Sequence, residues 1–471
     1  MKDYFEFHDS DEQRARSSAE EFEERLNKLD FFYIDLNTVD EIYVYYITRG
    51  ELAKAKTLLK IALHSHPTHG GLYFKQAQIE LEQEKYDAAL EQIDTALHIH
   101  PKNEEYLLLK SEILAQIQAY DAAIFILQEL LILSNEPSDI FLQMGNVAQT
   151  CERYEESEIF YRQALAEDPE SDDALYELCF LLEASQRIDE CIELYKKFID
   201  EMPYNHNAWY QLGNLYLKQH NFELAVEAFD FCIVIKDNFT NAAFCKGQAL
   251  MNLSRFEEAI QEFFHVLSFL KFDKNALFHA GACFENLQLY QQASHYYAQV
   301  TDLDEEHIDA WAGMGFCMAK KERYIQAIHY YEKALQLDAD NTDTMFSLAI
   351  CEYQLGNYRN AYNHLKKVIA LIPEDISIWK EWAELLHKND NTHGAITFLK
   401  QGIVVNPKAA ALYYQCAVYT YTEQQIEDAM MYLENALMLD SKGHYIIFHL
   451  NPKLKSESLF IDLIEEYEDF D

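Results

Sequence analysis

The chain has 471 residues, 80 of them acidic and 38 basic, for a formal net charge of −42. A field of that sign repels phosphate backbones and anionic lipid, so the expectation is no nucleic acid and no membrane insertion, with a protein or peptide, basic or apolar, left as the partner. With 49% hydrophobic residues, the chain is also too apolar to be a disordered acidic polymer.

The opening residues MKDYFEFHDS lack the basic start and apolar run of a secretory signal, and no segment approaches the roughly 18 consecutive apolar residues of a membrane span. From Asp11 the pattern predicts a helix with Ala15, Ala19, Phe22, Leu26 and Leu29 on one side. Residues 1–35 are therefore expected to form an N-terminal segment whose helix caps the open end of the first helical hairpin.

From Leu36 an interval of 34 residues governs the chain, most clearly in the stretch from His206 to Phe239. Trp209, Leu212 and Tyr216 share one helical face, and Ala225, Phe229 and Cys232 share another. Polar Gln219, His220 and Asn221 mark a tight turn between them. The Ala225 position recurs as Ala55, Ala89, Ala123, Ser157, Cys191, Ala259, Ala293, Ala327, Ala361, Ala395 and Ala429, always small. The Gly213 position is small in every unit but the first, where Tyr43 stands, and the Phe229 position is always large and apolar. Small residues let two helices cross closely while large ones fill the flanks. Pro67, Pro101, Pro169, Pro203, Pro373 and Pro407 share a closing position, where proline stops a helix.

The run Trp209, Leu212, Gly213, Tyr216, Ala225 and Phe229 resembles the tetratricopeptide repeat, with Asp237 in place of its usual closing proline. The resemblance implies an all-α fold, a right-handed α-solenoid or superhelix of about twelve tandem helix-turn-helix repeats over residues 36–443. Such a fold gains stability from each interface between neighbours rather than from one core.

Within this frame Asn207, Asn241 and Asn275 alternate with Asp139, Asp173, Asp309, Asp343 and Ser377, the profile of helix N-caps. His64, His66, His69, His98 and His100 fall at helix ends, where imidazoles interact with exposed carbonyls, and no metal or cofactor is expected. Leu130 and Phe198 replace small residues, so packing must adjust there, and Trp379 with Trp382 give one unit a bulky face. The nine cysteines lack metal-type spacing, and Cys179, Cys191 and Cys232 take positions held elsewhere by Gly, Ala or Ser. They read as reduced core residues of a cytoplasmic protein. Residues 444–471 are expected to end the chain in an acidic capping helix, with Leu459, Phe460, Leu463, Ile464 and Tyr467 on one stripe.

The segments outside the repeats are too short to bury a catalytic core, and no phosphate loop, zincin or nucleophile-elbow motif occurs. The expectation is a non-enzymatic scaffold for protein–protein interaction. In proteins of the resembled family the first helix of each unit lines a concave groove. There Tyr176, Tyr210, Phe244 and Phe278 would form an aromatic ladder, with Phe346 further along the same column. Asn146, Asn214 and Gln248 would hydrogen-bond the backbone of a bound peptide, although the groove could equally receive an amphipathic helix. The basic clamp of chaperone-binding relatives fails, because Lys380 is followed by Glu384. The alternative is a structural protein that self-assembles through the solenoid ends or the acidic tail.

Overall fold

The computed structural model describes residues 9–27, 33–134 and 136–468. The chain divides into two units, Met1–Gln219 and His220–Asp471. Each described element is helical, and each unit is a solenoid of antiparallel hairpins packed in sequence order.

In the first unit the helix Asp9–Asn27 precedes five hairpins, Leu36–Thr48 with Leu52–Ser65 being the first and Asp172–Ala184 with Ile188–Glu201 the last. The helix His206–Lys218 ends the unit. Ala15, Ala19 and Phe22 are buried in one cluster with Val39, Ile42 and Leu58, which gives Asp9–Asn27 the apolar footing its pattern predicts. Leu26 instead is exposed, and Leu29 lies outside the described residues. In the odd first hairpin Tyr43 is buried, with the Lys75 ammonium 5.0 Å from its ring centre.

The second unit opens with Phe222–Ile235 and continues through six hairpins, from Thr240–Asn252 with Phe256–Phe269 to Ala410–Thr422 with Ile426–Leu439. The segment after Gly443 is not one helix. A short helix Tyr445–Leu450 and a turn of 3₁₀ helix at Pro452–Ser456 come before Ser458–Glu468. Of the expected stripe Phe460 and Ile464 are buried and Leu459 is exposed. Trp379 and Trp382 are core rather than face, at 3% and 0% exposure.

The helix crossings explain the repeated small residues. Every member of the Ala225 column, from Ala55 to Ala429 and including Ser157 and Cys191, has 0% exposure. Where that residue can donate, it ties the crossing: Ser157 Oγ gives its proton to the Gly145 carbonyl at 2.9 Å, and Cys191 Sγ lies 3.5 Å from the Cys179 carbonyl. Leu130 and Phe198, where smaller residues stand in other units, are also buried.

Two local devices set the hairpins. Between the helices one residue is left-handed, at Gly50, Glu84, Gln118, Glu152, Gln186, His220, Ser254, Gln288, Glu322, Gly356, Asp390 and Gln424. This single αL residue ends the first helix and reverses the chain. At the start of the first helices, Asp35, Asn103, Ser171, Asn205, Asp273, His307, Asn341 and Asp375 accept from a backbone N–H in the first turn. The caps thus stand two residues before the Asn207 column. Asn205 adopts φ −80°, ψ 101° and its Oδ1 accepts from Ala208 N at 3.0 Å, so Asn207 is already helical. Asp173, Asp309 and Asp343 are first-turn acids that answer the positive helix end.

Candidate functional site

First helices of successive hairpins touch one another in both units, from Gly70–Glu82 to Pro137–Thr150 in the first and from Thr240–Asn252 to Ala410–Thr422 in the second. Among the described residues, successive second helices of the hairpins make no comparable contact. Elements that approach more closely lie on the inside of a bend, so within each unit the stack curves toward its first helices. Side chains on that inner side are the candidates for binding.

In the first unit Tyr176 is 47% exposed, whereas Tyr210 is half-buried. Asn146 and Asn214 are half-buried on the same side of their helices. Asn146 is engaged: its Oδ1 and Gln149 Oε1 both lie 2.9 Å from the Tyr161 hydroxyl. One hydroxyl proton serves one of these amides, and the other amide can turn its NH2 to the phenolic oxygen.

In the second unit the column is packed more tightly. Phe244 meets Phe263 edge-on at 5.6 Å between ring centres and His279 at 5.3 Å. Phe278 touches the same His279 at 5.5 Å, Tyr297 at 5.6 Å and His307 at 5.0 Å. Both phenylalanines remain half-buried, as does Gln248. Phe346 is only 9% exposed and packs with Trp382, so it offers a ligand little surface.

Burial raises the carboxyl pKa of Glu112, Glu177 and Glu285, and at Glu285 it prevails although the Tyr297 hydroxyl donates to the carboxylate at 3.0 Å. Lys246 is tied instead, to Asp230 at 2.5 Å and Glu262 at 2.7 Å. Burial works to lower its pKa, but these two bonds outweigh that and raise it.

Two of the five histidines marked in the sequence meet carbonyls. His64 Nδ1 lies 2.8 Å from the Lys60 carbonyl and His66 Nε2 2.8 Å from that of Ile34. Among the described residues no group of three or more potential ligands could hold a metal ion, and no helix is long and apolar enough to cross a membrane.

One recurrent contact is not anticipated by the repeat pattern. Trp209, Trp311 and Trp379 donate Nε1–H to the carbonyl six residues earlier, on Pro203, Glu305 and Pro373, at 2.9, 2.9 and 3.0 Å. Tyr73 and Tyr413 use a hydroxyl on Pro67 and Pro407 at 3.1 and 3.2 Å. Each latch fixes the turn that leads into a hairpin. The signal is present in the sequence as an aromatic residue with a polar tip at one interval after the closing position.

Models of the tetratricopeptide repeat match residues 45–104, 74–139, 138–171 and 206–238. A model of the anaphase-promoting complex, cyclosome, subunit 3, matches residues 320–402. No curated protein matches the chain. Among solved structures it is similar to YrrB, described as a tetratricopeptide repeat protein with an unusual peptide-binding site, at 18% identity over 40% of this chain and 98% of that one, TM-score 0.36. MamA of Desulfovibrio magneticus RS-1 is 18% identical over 36% of this chain and 98% of that one, TM-score 0.35. The APC/C hetero-tetramer Cut9–Hcn1 is 12% identical over 92% and 96%, TM-score 0.38. By its small-residue crossings, its stacked hairpins and the repeat models it matches, the chain belongs to the tetratricopeptide repeat family.

Proposed function

We propose that the chain is a non-enzymatic scaffold of the cytoplasm that binds a segment of another protein along the first-helix side. The observation that carries this reading is an aromatic column only part-sunk in the packing: Tyr176 is 47% exposed, and Tyr210, Phe244 and Phe278 are half-buried. Part-buried aromatics offer contact area at low entropic cost, and neighbouring amides offer hydrogen bonds to a peptide backbone. Asn214 and Gln248 take that second part, with Asn146 contributing whatever capacity Tyr161 leaves. The part-buried aromatic column favours an apolar segment there, and the surrounding charge favours a basic one.

The same proposal includes twelve repeats of 34 residues wound as a right-handed superhelix over residues 36–443, with 1–35 and 444–471 as end segments. The constant spacing of the left-handed turn residues from Gly50 to Gln424 supports that register. A cytoplasmic setting agrees with cysteines placed as small core residues at Cys179, Cys191, Cys232 and Cys283. A protein partner agrees with the family models, one of which describes a subunit of a larger complex.

The test is affinity purification of partners with the wild-type chain and with two double variants, Tyr176→Ala/Tyr210→Ala and Phe244→Ala/Phe278→Ala, followed by titration of whatever partner is recovered. The expected result is loss of affinity with helical content retained. Unchanged affinity in both variants would overturn the reading.

A further inference from the structure

Two successive second helices, Tyr358–Leu371 and Thr392–Val405, read YRNAYNHLKKVIAL and THGAITFLKQGIVV and contain no aspartate or glutamate. They carry Arg359, Lys366, Lys367 and Lys400 in a chain whose net charge is −42, the last with its ammonium over the Tyr432 ring of the next hairpin. Among the described residues, Arg359, Lys366 and Lys367 pair with no carboxylate. A groove of about 730 Å³ lies along these helices. Leu365, Ile369, Trp379 and Phe398 line its apolar part, Lys366 and His393 its polar part, and no carboxylate faces it.

The packing that makes this groove is specific. The Trp379 indole is fixed by its bond to the Pro373 carbonyl at 3.0 Å, which also accepts from Asn406 Nδ2 at 3.1 Å. Its ring lies 4.7 Å from that of Phe398 and over Gly402, where a Cβ would come within 2.9 Å of the indole Cδ2. The groove is also lined by Gly394, where the preceding hairpins carry Asn360, Gln326 and Gln292. Gly394 therefore puts no side chain over that part of the groove.

We propose that this groove docks an acidic amphipathic segment of another protein. Its leucine or aromatic side chains would lie over the exposed Tyr362 and the half-buried Ile369, above the buried Trp379 and Phe398, and its carboxylates would meet Lys366, Lys367 and Arg359. Charge complementarity selects this occupant: a basic segment would face like charge at the rim, and an acidic one is repelled by the surface of this chain at large. All the lining of the groove but Trp379 is on the second helices, and it shares no residue with the aromatic column, so each can fail without the other.

The experiment is fluorescence anisotropy with the full chain and a labelled synthetic peptide of glutamate, leucine and phenylalanine, beside a counterpart with lysine for glutamate. The acidic peptide is expected to bind, and the basic one not to. Lys366→Glu/Lys367→Glu should weaken binding about tenfold or more, and salt should weaken it for the wild type. Thr397→Trp, which fills the groove without changing charge, should abolish binding, whereas Phe244→Ala/Phe278→Ala should leave it unchanged. Circular dichroism checks that each variant folds. No binding of the acidic peptide, equal binding of the basic one, or wild-type affinity in either groove variant would overturn the proposal. So would self-association without peptide that Thr397→Trp removes, because the occupant would then be a second copy.

Discussion

The ring of Tyr161 lies on the backbone of Gly145, so close that a Cβ on that glycine would fall inside the ring's van der Waals surface. The same pairing recurs at Gly247 with Phe263, Gly281 with Tyr297 and Gly315 with Tyr331. Where the large residue is Ile93, Leu365, Leu399 or Leu433, the small one is Ala77, Ala349, Ala383 or Ala417, all at 0–1% exposure. In these eight crossings the broader aromatic ring goes with the loss of the last methyl and the aliphatic residue does not, so size is kept across the pair rather than at either position; Cys179 with Tyr195 and Tyr43 with Leu59 depart from this.

That compensation can be measured at Gly247 and Phe263, where no hydroxyl complicates the comparison. A Cβ on Gly247 would meet Phe263 Cε1 at 2.8 Å. Gly247→Ala should cost about 1–3 kcal/mol by overpacking, less about 1 kcal/mol of gained helix propensity. Phe263→Leu should cost about 1–3 kcal/mol by leaving space. The double variant should lose less than the two single losses added, by about 1 kcal/mol or more. Denaturant unfolding followed by circular dichroism gives the four values, and simple additivity would show that the two residues do not share the space.

The hairpin fold was legible because its strongest constraint is steric and local: Ala225 and its counterparts repeat one residue type at one interval. The caps were misplaced by two residues because Asn205 and Asn207 are both good cap residues, and only backbone geometry separates them. The left-handed turn residue was hidden because ten of its twelve occupants, such as Gln118 and Glu152, are not the glycine that would announce it. The aromatic column was visible, but not that Phe346 sinks beside Trp382. That outcome depends on a neighbour 36 residues away along the chain. The groove at Trp379 was hidden for a related reason, since its floor depends on Gly402 packing against Trp379 of a different helix.

The latch at Trp311 makes a graded prediction. Its Nε1–H donates to the Glu305 carbonyl at 2.9 Å while its ring stacks on Tyr330. Trp311→Phe keeps an aromatic ring and removes the donor, which should cost about 0.5–1.5 kcal/mol beyond the lost ring area. Trp311→Tyr should cost less, because Tyr73 and Tyr413 make the same contact through a hydroxyl. Unfolding midpoints of the two variants check this, and equal midpoints would remove the hydrogen bond from the account.

At Gly356 the backbone alone is at issue. Its φ is +82° and nothing lies within 4 Å of where a Cβ would be, so any loss on substitution comes from conformation and not from crowding. Gly356→Ala should cost about 1–2 kcal/mol. Gly356→Asn should cost less, since asparagine tolerates the left-handed region better. Thermal unfolding of both variants tests the order, and an alanine variant as stable as wild type would contradict it.

His279 sits among Phe244, Phe263 and Phe278, with its Nδ1 buried and unpartnered. Burial lowers its pKa below the ordinary imidazole value, so the folded chain holds it neutral where the unfolded chain takes up a proton. Stability therefore falls as pH drops through the unfolded value of about 6.5, and the loss levels off only once the folded imidazole is also protonated. Carboxylates such as Glu158 and Glu190, held low by Arg162 and Arg187, also weaken the fold in acid. Those losses are common to the wild type and to His279→Phe, so the difference between their melting temperatures isolates the histidine. The wild type should lose more than the variant between neutral pH and pH about 5. Parallel curves would mean that His279 is solvated and that the aromatic sandwich does not desolvate it.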